Sequence, residues 1–265
     1  MNIANYQLLS GIGLSERAVL KIVEHTRVRH YHAGEVLCKR GLVGEPWRYM
    51  LSGMAFFSSS EQGGRRDLIG VIGPGHWAGE APIKDFQSSP LEILCMTDVR
   101  VMEVPFAFIQ HAFDSELNFC RYVARMLNDR YLNQTEIVLM QRIPETLSRV
   151  ALCLAVLGEK FDHAPRPSSR HSKTLGPVPR HQPLPLNQTE ISSICGVSRS
   201  NLSQSLKQFV LAELCQVQYS QVTLLRLDAW LEILKSYRNQ KKDFGVDAFS
   251  ALVKASTQEE IYATE

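Results

Sequence analysis

The sequence predicts an α+β chain in three parts: a small antiparallel β-barrel or jelly roll, one long central helix, and a C-terminal winged helix-turn-helix. Three observations carry that expectation. Between residues 30 and 104, recurrent glycines from Gly34 to Gly79 cut the chain into short apolar runs that leave room for strands but not for long helices. From Asp114 to Gln141 neither Gly nor Pro interrupts the chain, so a long helix fits. From Asn187 to Phe209 the text NQTEISSICGVSRSNLSQSLKQF reads as two short amphipathic helices joined by a glycine turn.

Composition agrees with a folded soluble protein. The 265 residues are 45% apolar and 21% charged, which suits two ordinary domains. No apolar run reaches membrane-spanning length, and MNIANYQLL lacks the basic start and apolar core of a signal peptide, so a cytoplasmic protein with no membrane partner is expected. The six cysteines are scattered, with no CxxC pair and no histidine at metal-ligand spacing, so reduced thiols, no metal and no cofactor are expected.

Taken in order, Leu8 and Leu9 can brace the barrel, and Glu16 to Val23 has helical apolar spacing. Tyr49 to Phe57, Leu68 to Ile72 and Val99 to Val104 mix β-branched, aromatic and polar residues as strands of a curled sheet do. In the long helix, Leu117, Cys120, Ala124, Leu127, Tyr131 and Val138 recur at steps of three and four or their sum, the spacing of a helix-to-helix seam. That seam predicts a homodimer; the alternative is that it packs on the protein's own barrel. Pro144 ends the helix, with a hinge at Ile143 to Thr146 and a new apolar helix from Leu147 to Leu157. Residues 159–185 are rich in Pro, Ser, His and Arg and read as a flexible insertion, whose irregularly spaced His163, His171 and His181 are solvated rather than ligating. These breaks partition the chain into 1–113, 114–143, 144–230 and a C-terminal extension, 231–265.

The glycine-turn helices carry the most chemistry. Asn187 can cap the first helix while Glu190 reaches back to it, and Ile191 and Ile194 bury its inner face until Gly196 ends it. Ser198 can cap the second helix, whose Leu202, Leu206 and Phe209 form the packing stripe. The opposite side offers Arg199, Ser200, Ser203, Gln204 and Lys207, donors and acceptors suited to base edges and phosphates in a major groove. Leu214 to Leu227 alternates polar and apolar residues as a hairpin wing would. From Lys160 to Leu227 there are 8 Lys/Arg against 3 Asp/Glu, whereas the whole chain nets +2, so positive charge gathers around this segment. Double-stranded DNA is the expected partner.

This order of parts, with EISSICGVSRSNLSQSLKQF and the cassette GPGHWAGE from Gly73 to Glu80, resembles the cyclic-AMP receptor protein and fumarate-nitrate reduction regulator (CRP/FNR) family of bacterial transcription factors over residues 8–228. The resemblance implies a cyclic-nucleotide-binding-like barrel and a homodimer on a two-fold symmetric operator, with RNA polymerase as a further partner. It also implies that Ser198, Arg199, Ser200 and Gln204 contact DNA. An effector pocket would be formed by Gly79, Glu80, Ser89, Pro90, Gln134 and Thr135, but in degenerate form. Ser89 and Pro90 stand where nucleotide-binding members carry an Arg-Ser pair for the ligand phosphate, and Gln134 replaces one of two small hydroxyl residues. Losing a charged contact of that kind costs about 1.5 to 3 kcal/mol, so control by cyclic AMP is not expected.

The sequence leaves three other readings: a haem-responsive regulator using His76, a thiol-redox regulator using Cys38, Cys95 or Cys120, and a cyclic-nucleotide-binding module acting on a protein partner. An N-terminal iron-sulfur cluster lacks its cysteines. No GxSxG, HExxH, P-loop or paired carboxylate pattern is present, so an enzyme is not expected.

Overall fold

The computed structural model describes residues 3–58, 68–79, 89, 91–162, 180–218, 221–239 and 248–263. The chain divides into two compact units, residues 1–135 and 136–265.

The first unit opens with helices α1 (Ile3–Ser10) and α2 (Glu16–Val23). The Ser15 hydroxyl caps α2 by accepting from the Ala18 N–H, and α2 buries Val19, Ile22 and Val23. Among the described residues eight strands follow: β1 (Arg27–Tyr31), β2 (Val36–Cys38), β3 (Trp47–Ser52), β4 (Ala55–Ser58), β5 (Leu68–Ile72), β6 (Trp77–Ala78), β7 (Glu92–Cys95) and β8 (Val99–Val104). They form two antiparallel four-stranded sheets, ordered β1-β8-β3-β6 and β2-β7-β4-β5, the jelly-roll barrel of a mixed α+β chain. The stretch Tyr49 to Phe57 thus spans parts of two strands, β3 and β4, which turn from one sheet into the other. Gly53 at its bend has φ +82°, and a Cβ there would stand 2.1 Å from the Asp98 carbonyl oxygen, so only glycine fits.

Strand alternation decides which residues face which core. On β8, Val99 and Val101 meet Met50, Ala55, Ile72 and Ile93 inside the barrel. Met102 and Val104, on the other face, meet Trp47, Trp77 and the helices. Arg48 and Glu103, paired in register between β3 and β8, are buried in the barrel and joined at 2.9 Å; Glu103 also accepts from the Tyr31 hydroxyl at 2.8 Å. A buried cation needs this kind of satisfied network.

Helix α3 (Phe106–Ser115) precedes α4 (Leu117–Gln141). The expected single helix from Asp114 is therefore two, because Glu116 is extended at φ −115°, ψ 92°. On α4, Phe119 and Val123 are buried with the barrel's outer aromatic residues, and Tyr122 Oη accepts from Trp77 Nε1 at 3.1 Å.

The second unit contains α5 (Thr146–Phe161), β9 (Gln182–Leu184), α6 (Gln188–Cys195), α7 (Arg199–Leu211), β10 (Cys215–Gln218), β11 (Gln221–Leu224), α8 (Leu227–Asn239) and α9 (Ala248–Ala263). Helix α5 is nearly all buried and forms the centre of this unit. The hairpin expected after Leu214 is present, but as part of a three-stranded sheet, β10-β11-β9. The insertion assigned to 159–185 is correspondingly shorter: α5 continues to Phe161, and Gln182–Leu184 pairs with β11. Asp162 and Arg180 flank what remains and are joined at 3.3 Å, with Arg180 also bonded to Asp228 at 2.8 Å. His163 and His171 lie outside the described residues, and His181 is exposed.

Candidate nucleic-acid interface

Helix α6 begins with a complete capping box. The Asn187 side chain accepts from the N–H groups of Thr189 and Glu190 at 2.9 and 3.0 Å, and the Glu190 carboxylate accepts from the Asn187 N–H at 2.8 Å. The helix ends at Gly196, whose left-handed φ of +61° lets the chain turn within one residue. The Ser198 hydroxyl then accepts from the Asn201 N–H at 3.1 Å and starts α7. Ile191 and Ile194 from α6, with Leu202, Leu206 and Phe209 from α7, are buried. The Phe209 ring meets Trp230 edge-on at 5.5 Å and Phe249 of α9 at 5.7 Å.

That packing leaves the other side of α7 to solvent. Ser198, Arg199, Ser200, Gln204 and Lys207 are exposed, and Ser203 is half-buried at the edge of the core. Asn201 and Gln208 are exposed as well and extend the same polar surface; their polarity in the α7 stretch was the only available signal. No acidic side chain occurs along α7, so the surface offers donors and a positive field to a polyanion.

The seam residues of α4 lie on the side away from its buried stripe. Leu117, Leu127, Tyr131 and Val138 are 65, 43, 67 and 49% exposed, Ala124 is exposed and Cys120 half-buried. Leu132 and Leu139, at 55 and 48%, widen that apolar surface. The stripe that packs on the barrel is thus a different one, Phe119, Tyr122, Val123 and Met126.

The residues expected to form an effector pocket are described in part. Glu80 and Pro90 lie outside the described residues. Gly79 takes φ +90°, and a Cβ there would press on the Pro46 carbonyl at 3.1 Å. The Ser89 hydroxyl donates to the Leu91 carbonyl at 2.7 Å, and the Thr135 hydroxyl donates to the Tyr131 carbonyl at 2.9 Å within its own helix. The Gln134 amide reaches the barrel, lying 2.5 Å from where a Cβ on Gly70 would stand. A residue outside the expected set, Arg130, donates from Nη2 to the Trp77 carbonyl at 2.6 Å, with its guanidinium 5.5 Å from the centre of the Phe57 ring. Burial lowers its pKa to about 10, so it stays charged at neutral pH.

The thiol candidates are poorly placed for redox chemistry. Burial pushes Cys38 up to about 11, despite the Arg48 guanidinium 3.2 Å from its sulfur, and pushes Cys95 to about 11. Both remain protonated at neutral pH. Cys120 donates to the Phe113 carbonyl at 2.9 Å. The His76 Nδ1 lies against the carbonyls of Gly73 and Pro74, within its own turn. Among the described residues no cluster of three or more His, Cys, Asp or Glu could hold a metal ion. No described helix is long and apolar enough to cross a membrane.

Comparison with known proteins bears on both units. The cyclic nucleotide-binding domain family matches residues 28–116, the barrel and the helix after it. No curated protein sequence matches significantly. Among solved structures, the c-di-GMP-responsive global regulator CLP of Xanthomonas campestris is 17% identical, covering 79% of this chain and 99% of its own, with a TM-score of 0.60. A CRP/FNR-family transcriptional regulator from Thermus thermophilus is 16% identical, covering 79% and 98%, with a TM-score of 0.60. FixK2 of Bradyrhizobium japonicum is 16% identical, covering 79% and 96%, with a TM-score of 0.62. These neighbours are similar in fold across nearly their full lengths.

Proposed function

We infer that this chain, which has the fold of the CRP/FNR transcription regulators, is a sequence-specific DNA-binding regulator that acts as a homodimer and is not controlled by cyclic AMP. The observation that carries the reading is α7: a helix capped by Ser198, packed through Leu202, Leu206 and Phe209, and presenting Arg199, Ser200, Gln204 and Lys207 to solvent. A helix of this length and polarity enters a major groove with its N-terminal residues on the bases. The exposed apolar face of α4 supports pairing of two chains, which would read two half-sites of a symmetric operator, with RNA polymerase as the onward partner.

Independence from cyclic AMP is supported by Ser89, a neutral hydroxyl spent on the Leu91 carbonyl where a guanidinium would serve a phosphate. The arginine that α4 sets against the barrel, Arg130, is already engaged with the Trp77 carbonyl and the Phe57 ring. CLP is described as responsive to c-di-GMP, so that ligand belongs in the same test.

The test is selection of bound sequences from random duplex DNA by the full chain, followed by gel shift on the enriched site. A two-fold symmetric consensus is expected; enrichment of nothing above background at low salt refutes the regulator. Thermal unfolding with micromolar cyclic AMP, cyclic GMP or c-di-GMP addresses the barrel. No shift is expected with cyclic AMP, and a clear rise with it overturns the argument from Ser89.

A further inference from the structure

We propose that the turn between α4 and α5 is a lock rather than a hinge, and that Arg149 and Arg238 are positioning residues fixing the reading head to the last turns of α4. The proposal rests on the DNA-binding reading above.

Pro144 marks residues 143–146 as a hinge in the sequence. The structure puts the division between its compact units elsewhere, between Thr135 and Glu136, inside α4. Beyond that point α4 is tied to the head on two sides.

On the first side, Gln141 Nε2 donates to the Ile194 carbonyl at 2.9 Å, and the Gln141 stem lies across Gly196, where a Cβ would stand 3.2 Å from its Cγ. Arg149 of α5 donates from Nε and Nη2 to the Ile143 carbonyl at 2.8 and 2.6 Å, and from Nη1 to the Gly196 carbonyl at 3.2 Å. One planar cation therefore joins the backbone of the supposed hinge to the backbone of the helix-turn-helix turn. Ile143 is itself buried, and the Glu145 side chain caps α5 by accepting from the N–H groups of Leu147 and Ser148.

On the second side, Arg238 of α8 holds two glutamates. Its Nε and Nη2 donate to the two oxygens of Glu136 at 2.7 and 2.9 Å, and its Nη1 and Nη2 donate to those of Glu159 at 2.8 Å each. These contacts join α8, the end of α5 and the last turns of α4. Bidentate guanidinium–carboxylate pairs fix orientation as well as distance, which a lysine cannot do at two sites. The C-terminal extension, for which the sequence suggested no chemistry, thus clamps the end of the α4 helix to the unit that carries α7.

Rotation of the end of α4 must then carry α7 with it, so the separation of two half-sites that a dimer accepts is set at α4 and kept by the two arginines. The experiment uses the full chain and the site it selects, re-synthesised with half-sites moved closer or apart by one and two base pairs. The wild type should lose affinity steeply away from its preferred separation. Arg149→Gln and Arg238→Gln should each flatten that profile to within about threefold. Arg149→Lys and Arg238→Lys keep the charge but not the double grip and should flatten it too, which covers the case in which a Gln variant fails to fold. A merely structural role would weaken all separations equally, and that outcome, or unchanged profiles, overturns the lock. If the wild type selects no DNA at all, the regulator reading has failed instead. Amide exchange then decides the lock alone: residues 136–142 should exchange as slowly as α6 in the wild type and about tenfold faster in the Arg238 variants. Equal rates in wild type and variants overturn it.

Discussion

Replacing Phe209 by alanine should cripple the reading head while leaving the barrel folded. Phe209 is fully buried, and its ring contacts Trp230 of α8 at 5.5 Å and Phe249 of α9 at 5.7 Å, so two other helices wall its pocket. A site held from several sides relaxes little when emptied. Phe→Ala in such a core costs about 3 to 5 kcal/mol, with the two aromatic contacts placing it in the upper part of that range. Taking about 4 kcal/mol and a urea dependence of about 2 kcal/mol per molar, the unfolding midpoint of the second unit falls by about 2 M. Amide exchange along a urea series reads this directly, because peptides from α7 report the head and peptides from β8 report the barrel. Affinity for the selected DNA site should fall in step with the unfolded fraction. A midpoint shift below about 0.5 M, equivalent to about 1 kcal/mol, would falsify this pocket and with it the claim that α9 supports α7.

Other expectations test the remaining faces. Arg199→Ala should cost about 1 to 3 kcal/mol on the selected site, whereas Lys207→Ala should mainly lower the salt dependence by about one counterion; equal losses on random DNA argue against base reading by Arg199. Leu127→Glu combined with Tyr131→Glu places charge on the exposed side of α4 and should convert a dimer to a monomer in sedimentation, and an unchanged mass removes that seam. The Cys38 thiol, raised to about 11, and the Cys215 thiol, raised to about 12, ionise later in the folded than in the unfolded chain. Their contribution is therefore complete below about pH 8.5 and declines as pH rises through the folded values, by at most about 1.4 kcal/mol per pH unit for each thiol. Urea midpoints from pH 8 to 10 should fall more steeply in the wild type than in Cys38→Ala, and parallel curves contradict the buried thiol.

What could be read from the sequence was local. Asn187, Glu190, Gly196 and Ser198 specify their helix ends through bonds spanning two or three residues, so the helices around the turn were legible to within a residue. Glu16–Val23 was legible from its helical apolar spacing alone. The break at Glu116 was not, because no Gly or Pro marks it and its extended backbone is compatible with almost any residue. Nor was Arg130 visible as a barrel contact, since its partners Trp77 and Phe57 are more than fifty residues away. The hinge was legible only as an interruption: Pro144 predicts a break, but whether a break bends depends on side chains such as Arg149 and Arg238, which arrive from elsewhere in the chain.

The Asp162–Arg180 pair has a consequence for how this protein can be altered. The two residues join the ends of the intervening stretch just ahead of β9 in the chain, and Arg180 is anchored again on Asp228. Once the ends of a stretch are fixed, doubling its length costs only about 0.6 kcal/mol of closure entropy. The stretch is therefore a natural port: an affinity tag, a fluorescent reporter or a sequence from another regulator can be spliced between Asp162 and Arg180 with the wing and α7 left to fold as before.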